Sequence, residues 1–331
     1  MIPHPDTPVW NGPYKGGITQ SHLLRFMECP FRAYLYFICG LKETTAPHEN
    51  LIWGSTIHKG LEHLIRGDSL ADSQTYMYGY IQKEYPAEPL ETFYTCYEML
   101  KLYNTHVLPG FKDWNNPLTE HRLDTTIHLP REVRVRGMVD VTDFFKLCDH
   151  KAKGSIYPTE TAEELGQDLQ MNLYAYVLGV EHWQYDLIQC PLKAYRCPAK
   201  KPGETSDSYA DRLFYRHDDY KWKFPISQFA SSWICPIPYF QPKEENHKYF
   251  NETIKPLMNR FCDWWDYVTS PDFNPNAPEC YNHLFYRMPA RVFDPSRTDK
   301  FKPHYHSILI GTDTVDSLVP VTNFYPELED K

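Results

Sequence analysis

Apolar and polar residues alternate between positions 133 and 141. One set of alternate positions carries Val133, Val135, Val139 and Val141, and the other carries Arg134, Arg136, Met138 and Asp140. Alternation with a period of two is typical of a β-strand that has one apolar face. We therefore expect the four valines to share one face of a strand and Asp140 to project from the other, more polar face.

A second extended segment follows after a short connection at residues 143–146. In it, Leu147, Asp149 and Lys151 occupy alternate positions and so lie on one side of the predicted strand. If the two strands pair antiparallel, Asp140, Asp149 and Lys151 converge at one end of a sheet.

Further strands are predicted before and after this pair. Residues 121–129 alternate in the same way and predict a preceding strand, with Glu120 at its start as a candidate accessory acid. Residues 183–195 predict a returning strand.

Helical periodicity dominates the N-terminal region. Apolar residues recur at helical spacing in residues 18–41, which predicts helical structure with an interruption at Pro30. Residues 51–66 predict a helix that begins near Ser55 and places His58 and Glu62 one turn apart on one face. His58 is a candidate metal ligand, although a lone histidine here also fits an ordinary imidazole at the surface or at the edge of the core.

A later helix carries polar side chains beside its apolar face. The periodicity from Leu165 to Gly179 predicts one continuous helix that places Gln167, Gln170 and Tyr174 on a neighbouring face. Amide and phenol groups can hydrogen-bond phosphates or orient catalytic groups. The alternative is an ordinary amphipathic helix. Residues 70–116 and 243–269 predict packing helices.

The composition fits a folded protein without a general basic surface. The 331 residues suffice for a substantial core, and the net charge of −9 argues against a protein that coats nucleic acid. Nine cysteines contain no C-x-x-C pair, which favours a reduced, cytoplasmic protein. No apolar run reaches the roughly 18 residues that a membrane span requires, so we expect no membrane partner.

The residues of the predicted strand pair have a chemical use. Carboxylate oxygens are the ligands that Mg²⁺ or Mn²⁺ prefers, and a bound metal acidifies water and polarises a phosphate oxygen. Lys151, two residues after Asp149, adds a positive charge that can stabilise a phosphate in reaction. The alternative is an exposed hairpin whose charged groups are only solvated.

Residues 196–240 combine basic and aromatic side chains. This mixture suits the binding of single-stranded nucleic acid, in which bases stack and phosphates are neutralised. Acidic residues are interspersed, so a solvated insertion explains the composition equally well.

Five short motifs occur in an order that resembles one nuclease family. They are Ser21-His-Leu-Leu with Cys29-Pro30, Gly54-Ser-Thr-Ile-His58, Gly137-Met-Val-Asp140, Asp149-His-Lys151 and Gln170-Met-Asn-Leu-Tyr174. Together they resemble the RecB-type branch of the PD-(D/E)XK nuclease superfamily, which includes CRISPR-adaptation and phage exonucleases. The resemblance covers about residues 18–195.

The resemblance implies roles for individual residues. His58, Asp140 and Asp149 would bind the metal together with the backbone carbonyl of His150. Lys151 would be the catalytic lysine. Gln170 and Tyr174 would position DNA or the lysine, and Glu62 is a candidate accessory residue.

One feature of many such relatives is incomplete in this chain. They hold a [4Fe–4S] cluster on an early cysteine and three grouped cysteines near the C-terminus. Cys29 and Cys280 are present, but no cysteine follows Cys280, and Cys235 and Cys262 could join only through an unfamiliar spacing. We therefore predict no iron–sulfur cluster.

These inferences together predict an α/β fold. We expect a restriction-endonuclease-like core with a central mixed β-sheet flanked by helices, a helical N-terminal region and a C-terminal extension. The expected division is an arm at 1–17, the nuclease core at 18–195, a connection at 196–240, and a helix with a proline-rich extension at 241–331.

The expected activity is metal-dependent hydrolysis of DNA, at free ends, in a bacterial or phage-infected cell. Two alternatives stay open. One is a nuclease-like accessory module that binds DNA or protein, and the other is a subunit that cuts only with a helicase or recombination partner. The sequence does not give the oligomeric state.

Overall fold

The computed structural model describes residues 4–43, 49–86, 90–189, 201–205, 208–209, 234–277, 318–322 and 324–325. The strands in these ranges are β1 (Leu41–Glu43), β2 (Leu118–His128), β3 (Glu132–Thr142), β4 (Lys146–Lys153), β5 (His182–Gln189), β6 (Ile234–Phe240) and β7 (Leu318–Pro320). The central sheet has the order β2-β3-β4-β5-β6. Strands β4 and β5 are parallel and the other neighbours are antiparallel, so the sheet is mixed.

Helices cover both faces of this sheet. The described α-helices are α1 (Gln20–Glu28), α2 (Pro30–Phe37), α3 (Glu49–Ile65), α4 (Leu70–Glu84), α5 (Leu90–His106), α6 (Pro158–Glu164), α7 (Leu169–Leu178), α8 (Lys243–Tyr249) and α9 (Lys255–Val268). Helices α6 and α7 form the crossover that the parallel pair β4–β5 requires. The prediction of an α/β fold with a central mixed sheet is confirmed.

The sheet separates two apolar cores. One contains side chains of α1, α2, α7 and α9 together with Val133, Val135 and Val139 of β3. The other contains side chains of α3, α4 and α5 together with Val141 and Cys148. Each fully buried large apolar side chain contributes about 1.5–3 kcal/mol relative to an exposed one. The two cores therefore fix β3 and β4 from both sides.

The face of Val141 was predicted wrongly. Val133, Val135 and Val139 pack together as expected, but Val141 packs in the opposite core with Cys148, its partner in β4. Strand β2 is irregular at the same level, because Glu120 lies between the partners of Val141 and Val139 and has a φ of 51°. A left-handed residue is uncommon in a strand. This irregularity of β2 lies opposite Asp140.

Two predicted helix boundaries were also wrong. Helix α3 begins at Glu49, six residues before Ser55. The helix predicted from Leu165 to Gly179 is broken, because residues 165–167 form a 3-10 turn and Asp168 is extended. The Asp168 carboxylate accepts the Met171 N–H and so caps a new helix, α7. Gln167 therefore does not share a helix face with Gln170.

The described part of the C-terminal tail packs against the N-terminal region. The Trp10 indole N–H donates to the Tyr325 hydroxyl at 2.6 Å, and His22 Nε2 donates to the Phe324 carbonyl at 2.7 Å. Most of the predicted connection at 196–240, the end of the strand predicted at 183–195, and Cys280 lie outside the described residues. Among the described helices, none combines the length and apolar character needed to span a bilayer.

The buried His22 predicts a loss of stability in acid. Burial lowers the pKa of His22 to about 4, whereas an unfolded histidine titrates near 6.5. Protonation therefore favours the unfolded chain. The free energy of unfolding is not reduced by His22 above about pH 6.5, and it falls as the pH is lowered towards 4. We expect a loss of about 2 kcal/mol between pH 7.5 and 5 from this group.

The measurement is urea unfolding of wild type and His22→Asn at the two pH values. The variant should start less stable at pH 7.5 and lose less stability on acidification. Equal losses in the two proteins would show that His22 does not control this transition.

Candidate metal and catalytic site

Strands β3 and β4 separate at the site. They pair only at Val141–Cys148 and Thr142–Leu147, so Asp140 and Asp149 lie just beyond the paired region. The turn between them is held by Asp143, whose carboxylate accepts the backbone N–H groups of Phe145 and Lys146. The separation creates room between the strands for polar side chains from neighbouring elements.

One group of side chains suits a metal ion. Within the described residues, ligand atoms of His58, Asp140 and His150 all lie within 4.8 Å of one another. His58 Nδ1 lies 3.5 Å from Asp140 Oδ2, and His150 Nδ1 lies 3.4 Å from the same oxygen. The His150 backbone N–H donates to this oxygen at 2.7 Å. Imidazole and carboxylate donors at such spacing fit a divalent cation.

The electrostatics of the group favour a bound cation. Burial lowers the pKa of His58 to about 4, so its imidazole is neutral and able to bind a metal at neutral pH. Burial alone would raise the pKa of Asp140, but the neighbouring His58 and His150, with the backbone N–H of His150, hold it below its ordinary value. Asp140 is therefore ionised, as a ligand must be.

A second group forms around Asp149 and Lys151, whose side chains alternate with that of His150 along β4. It is adjacent to the first group, since Asp140 lies close enough to influence both residues electrostatically. The Lys151 ammonium lies 2.6 Å from Asp149 Oδ2 and donates to Gln170 Oε1 at 2.9 Å. The Gln170 amide donates in turn to Asp149 Oδ1 at 2.7 Å. Helix α7 thus supplies the amide that ties the lysine to the carboxylate.

Burial also shifts the pKa values in this second group. It raises the pKa of Asp149 to about 7, and the positive charge of Lys151 opposes the shift. For Lys151, burial alone would lower the pKa, but the nearby Asp149 raises it. Lys151 therefore stays charged at neutral pH.

Comparison with known proteins agrees with this geometry. A family model of the PD-(D/E)XK nuclease superfamily matches residues 17–276, which are most of the chain. The chain belongs to this superfamily. A search of curated proteins finds no match. Membership of the PD-(D/E)XK superfamily implies a nuclease, and nucleases of this superfamily use divalent metals.

The predicted site residues of this PD-(D/E)XK nuclease lie in two neighbouring groups. The structure brings His58, Asp140 and the His150 side chain together, and it joins Asp149, Lys151 and Gln170. The oxygens of Asp149 contact Lys151 and Gln170 rather than the first group. Its role as a metal ligand, and that of the His150 carbonyl, stay predictions.

Tyr174 lies behind the strand that carries Asp140. Its ring is buried against Gly137, where an added Cβ would lie only 2.6–2.9 Å from the ring and hydroxyl atoms. Glycine is therefore required for the close approach of α7 to β3. In this structure Tyr174 positions β3, and any contact of Tyr174 with DNA stays a prediction.

Gly137→Ala is expected to destabilise the protein by about 1–3 kcal/mol, because the new methyl group overlaps the Tyr174 ring. The matched control is Gly54→Ala, where the added Cβ would meet only Ala152 at 3.5 Å, an ordinary contact. Alanine is favoured over glycine in a helix, so the control should be neutral or stabilising. Thermal unfolding of the two variants tests this, and equal melting temperatures would contradict the close packing.

The two candidate accessory acids lie in different surroundings. Glu62 is buried and forms ion pairs with Lys59 and Arg66, and it is absent from the candidate metal groups of the described residues. Glu120 lies opposite Asp140 in the neighbouring strand β2. Their accessory roles stay predictions.

The cysteines that were considered as iron–sulfur ligands lie in different parts of the fold. Cys29 Sγ accepts the Arg32 N–H and so caps α2. Cys235 lies on β6 and Cys262 is buried in α9. Cys280 lies outside the described residues, so the absence of an iron–sulfur cluster stays a prediction.

A buried polar network next to the site was not predicted from the sequence. Tyr103 of α5 and Asp186 of β5 contact the far side of the His150 ring, and Asp186 is fully buried. A signal was present, since Asp186 stands in the apolar strand Trp183–Ile188 where an unpaired carboxylate would be costly. Its partners, however, are distant in sequence.

Proposed function

We propose that this nuclease hydrolyses phosphodiester bonds of DNA with Mg²⁺ or Mn²⁺ and acts at free ends as an exonuclease of the RecB-type branch. The observation that supports it best is the position of Lys151. Its ammonium is held by Asp149 and Gln170, on the strand next to Asp140 and at the place where β3 and β4 separate.

Three side chains would hold the metal ion. His58 and Asp140 would hold the metal, and Asp149 would join them as an oxygen ligand. When bound, the ion supplies acidified water and polarises a phosphate oxygen. The side chains of His58 and Asp140 are 28% and 15% exposed, so an ion and a substrate can reach them.

Lys151 supplies the fixed positive charge. Its side chain is 29% exposed, whereas Asp149 is 5% exposed, so the ammonium is the part of this pair that a phosphate can contact. The charge stabilises the negative charge that develops on the phosphate in the transition state. Gln170 keeps the ammonium in place through its amide oxygen. The departing 3′ oxygen would leave as an alkoxide or take a proton from water.

The proposed substrate and setting follow from the family resemblance and from charge. With a net charge of −9, the protein would bind DNA at a local site rather than over its whole surface. We place the reaction in the cytoplasm of a bacterial or phage-infected cell, where a helicase or recombination protein is the proposed partner.

The test is digestion of end-labelled DNA. Linear and closed circular molecules, single- and double-stranded, are incubated with Mn²⁺, Mg²⁺ or EDTA. We expect metal-dependent loss of linear DNA, sparing of circles and no loss in EDTA. Cleavage of circles would instead indicate an endonuclease.

Inert protein would point to the alternatives. Mn²⁺ binding without cleavage would indicate a subunit that requires a partner, and adding the helicase fraction of the source cell extract should then restore cleavage. DNA binding without metal binding would indicate an accessory module and would overturn the enzymatic proposal.

A further inference from the structure

We propose that the imidazole of His150 binds the metal directly as a second nitrogen ligand beside His58, and that Tyr103 and Asp186 hold its ring in the ligating tautomer. This inference rests on the proposed function, because it concerns the same metal. It differs from the role that the family resemblance implies, in which only the backbone carbonyl of His150 is used.

The spacing of the three ligand atoms supports direct binding. Atoms that bind one ion at bond lengths of about 2.1 Å lie about 3.0–3.5 Å apart. Asp140 Oδ2 lies 3.5 Å from His58 Nδ1 and 3.4 Å from His150 Nδ1. The two imidazole rings are nearly perpendicular, at 86°, with centroids 5.6 Å apart. Both Nδ1 atoms thus lie at a ligand's distance from the same carboxylate oxygen.

The far side of the His150 ring decides which nitrogen carries the hydrogen. The Tyr103 hydroxyl donates to Asp186 Oδ2 at 2.5 Å, and its oxygen lies 3.2 Å from His150 Nε2. Because the hydroxyl hydrogen is used on Asp186, the Tyr103 oxygen accepts from Nε2–H. In the neutral ring, the lone pair then lies on Nδ1, which faces Asp140.

This arrangement is the one that metal-binding histidines commonly have. Their second ring nitrogen usually donates to a carboxylate, a backbone carbonyl or a water molecule, which fixes the ring and its tautomer. Here the Asp186 carboxylate acts through Tyr103 and is itself held by Gln184, whose amide donates to Oδ1 at 2.6 Å. Parallel pairing of β4 with β5 places Asp186 beside His150.

A competing group shares His150 but is less suited to an ion. Cys148, His150 and Asp186 also have ligand atoms near one another, yet all three are buried. Asp186 already accepts hydrogen bonds from Tyr103, Gln184 and Cys148. The group with His58 and Asp140 is the one that reaches solvent.

A second imidazole changes the expected metal preference. Nitrogen ligands suit Mn²⁺ and the later transition metals better than they suit Mg²⁺, which prefers oxygen. We therefore expect Mn²⁺ to bind more tightly than Mg²⁺, and we expect the difference to depend on His150.

The deciding experiment counts nitrogen ligands on bound Mn²⁺ in the wild-type protein. Pulsed electron paramagnetic resonance detects directly bound imidazole nitrogens, and ¹⁵N labelling of histidine identifies them. Two coupled histidine nitrogens are expected. One nitrogen would overturn the proposal, and so would failure of the folded protein to bind Mn²⁺ at all.

Variants assign the nitrogens. His150→Gln, which keeps the backbone carbonyl, should leave one coupled nitrogen and weaken Mn²⁺ binding by about 10–100-fold or more. His128→Gln is the matched control, because His128 is an exposed residue on β2, and it should keep both nitrogens. Two nitrogens in folded His150→Gln would contradict the assignment.

The positioning role of Asp186 has its own readout. Asp186→Asn should weaken Mn²⁺ binding by about tenfold while Mg²⁺ binding changes less. An equal change for both ions would indicate a purely structural role. The outcomes distinguish this inference from the proposed function: two nitrogens without DNA cleavage would refute the function alone, and cleavage with one nitrogen would refute only this inference.

Discussion

Replacing Lys151 with alanine is expected to slow phosphodiester hydrolysis by about 10²–10³-fold, the usual loss when one group that stabilises transition-state charge is removed. The ammonium lies 2.6 Å from Asp149 and is held in place by Gln170, so its position is fixed before substrate binds. Lys151 is absent from the group formed by His58, Asp140 and His150, so Mn²⁺ binding should persist.

The measurement is the initial rate of digestion of labelled linear DNA at saturating Mn²⁺, together with Mn²⁺ affinity by calorimetry. Lys153→Ala is the matched control, because Lys153 lies two residues further along the same strand and is exposed. The control should cleave at the wild-type rate. Comparable losses in the two variants would show that Lys151 acts only through the general charge of the surface.

The Asp140→Asn variant should lose metal binding as well as activity. Asparagine keeps the size of the side chain, and its carbonyl oxygen can still accept the His150 N–H, so the local fold should survive. The charge that neighbours both imidazoles is lost, however. Changes in groups that only support ligands cost 10–100-fold in affinity, so we expect at least about 100-fold weaker Mn²⁺ binding.

Activity should fall further than affinity, because the ion supplies several kcal/mol of transition-state stabilisation. Calorimetry and DNA digestion over a range of Mn²⁺ concentrations separate the two effects. Asp263→Asn is the control, since this aspartate is 67% exposed and pairs with Arg131 on the surface. If Asp140→Asn bound Mn²⁺ as wild type does, the candidate site would be wrong.

The response of Asp140→Asn and Lys151→Ala to added Mn²⁺ tests whether Asp140 binds the metal and Lys151 acts on the phosphate. Raising the Mn²⁺ concentration should partly restore the activity of Asp140→Asn, because its defect includes occupancy. It should not restore Lys151→Ala, whose site is already occupied. Rescue of both variants by metal would indicate that Lys151 serves to organise the metal site.

Local sequence pattern was sufficient for the strands that carry the chemistry. The alternation around Asp140 and the two-residue spacing of Asp149 and Lys151 depend only on the geometry of an extended chain, so they could be predicted without knowledge of packing. The break at Pro30 has an equally local cause. These signals, with the order of the motifs, were enough to predict the superfamily and the α/β fold.

The errors arose where specific contacts, local or distant, override the periodic pattern. The four valines alternate along β3 as predicted, but Val141 packs in the other core, with side chains of α3, α4 and α5. The periodicity from Leu165 to Gly179 was also real, but a capping hydrogen bond at Asp168 divided the helix. Secondary-structure propensity predicts poorly where a single contact contributes as much free energy as the conformational preferences of several residues together.

The sequence by itself determined the strands β3 and β4, the order of the motifs and the position of Lys151 two residues after Asp149, because these follow from chain geometry over a few residues. It did not predict β6, which lies within the residues expected to form a connection at 196–240. Only the tertiary structure decided what surrounds them. The parallel register of β4 and β5 brings Asp186 beside His150, and the packing of α5 brings Tyr103 to the same ring. Contacts between such distant residues depend on sheet order and helix packing, which no local pattern specifies.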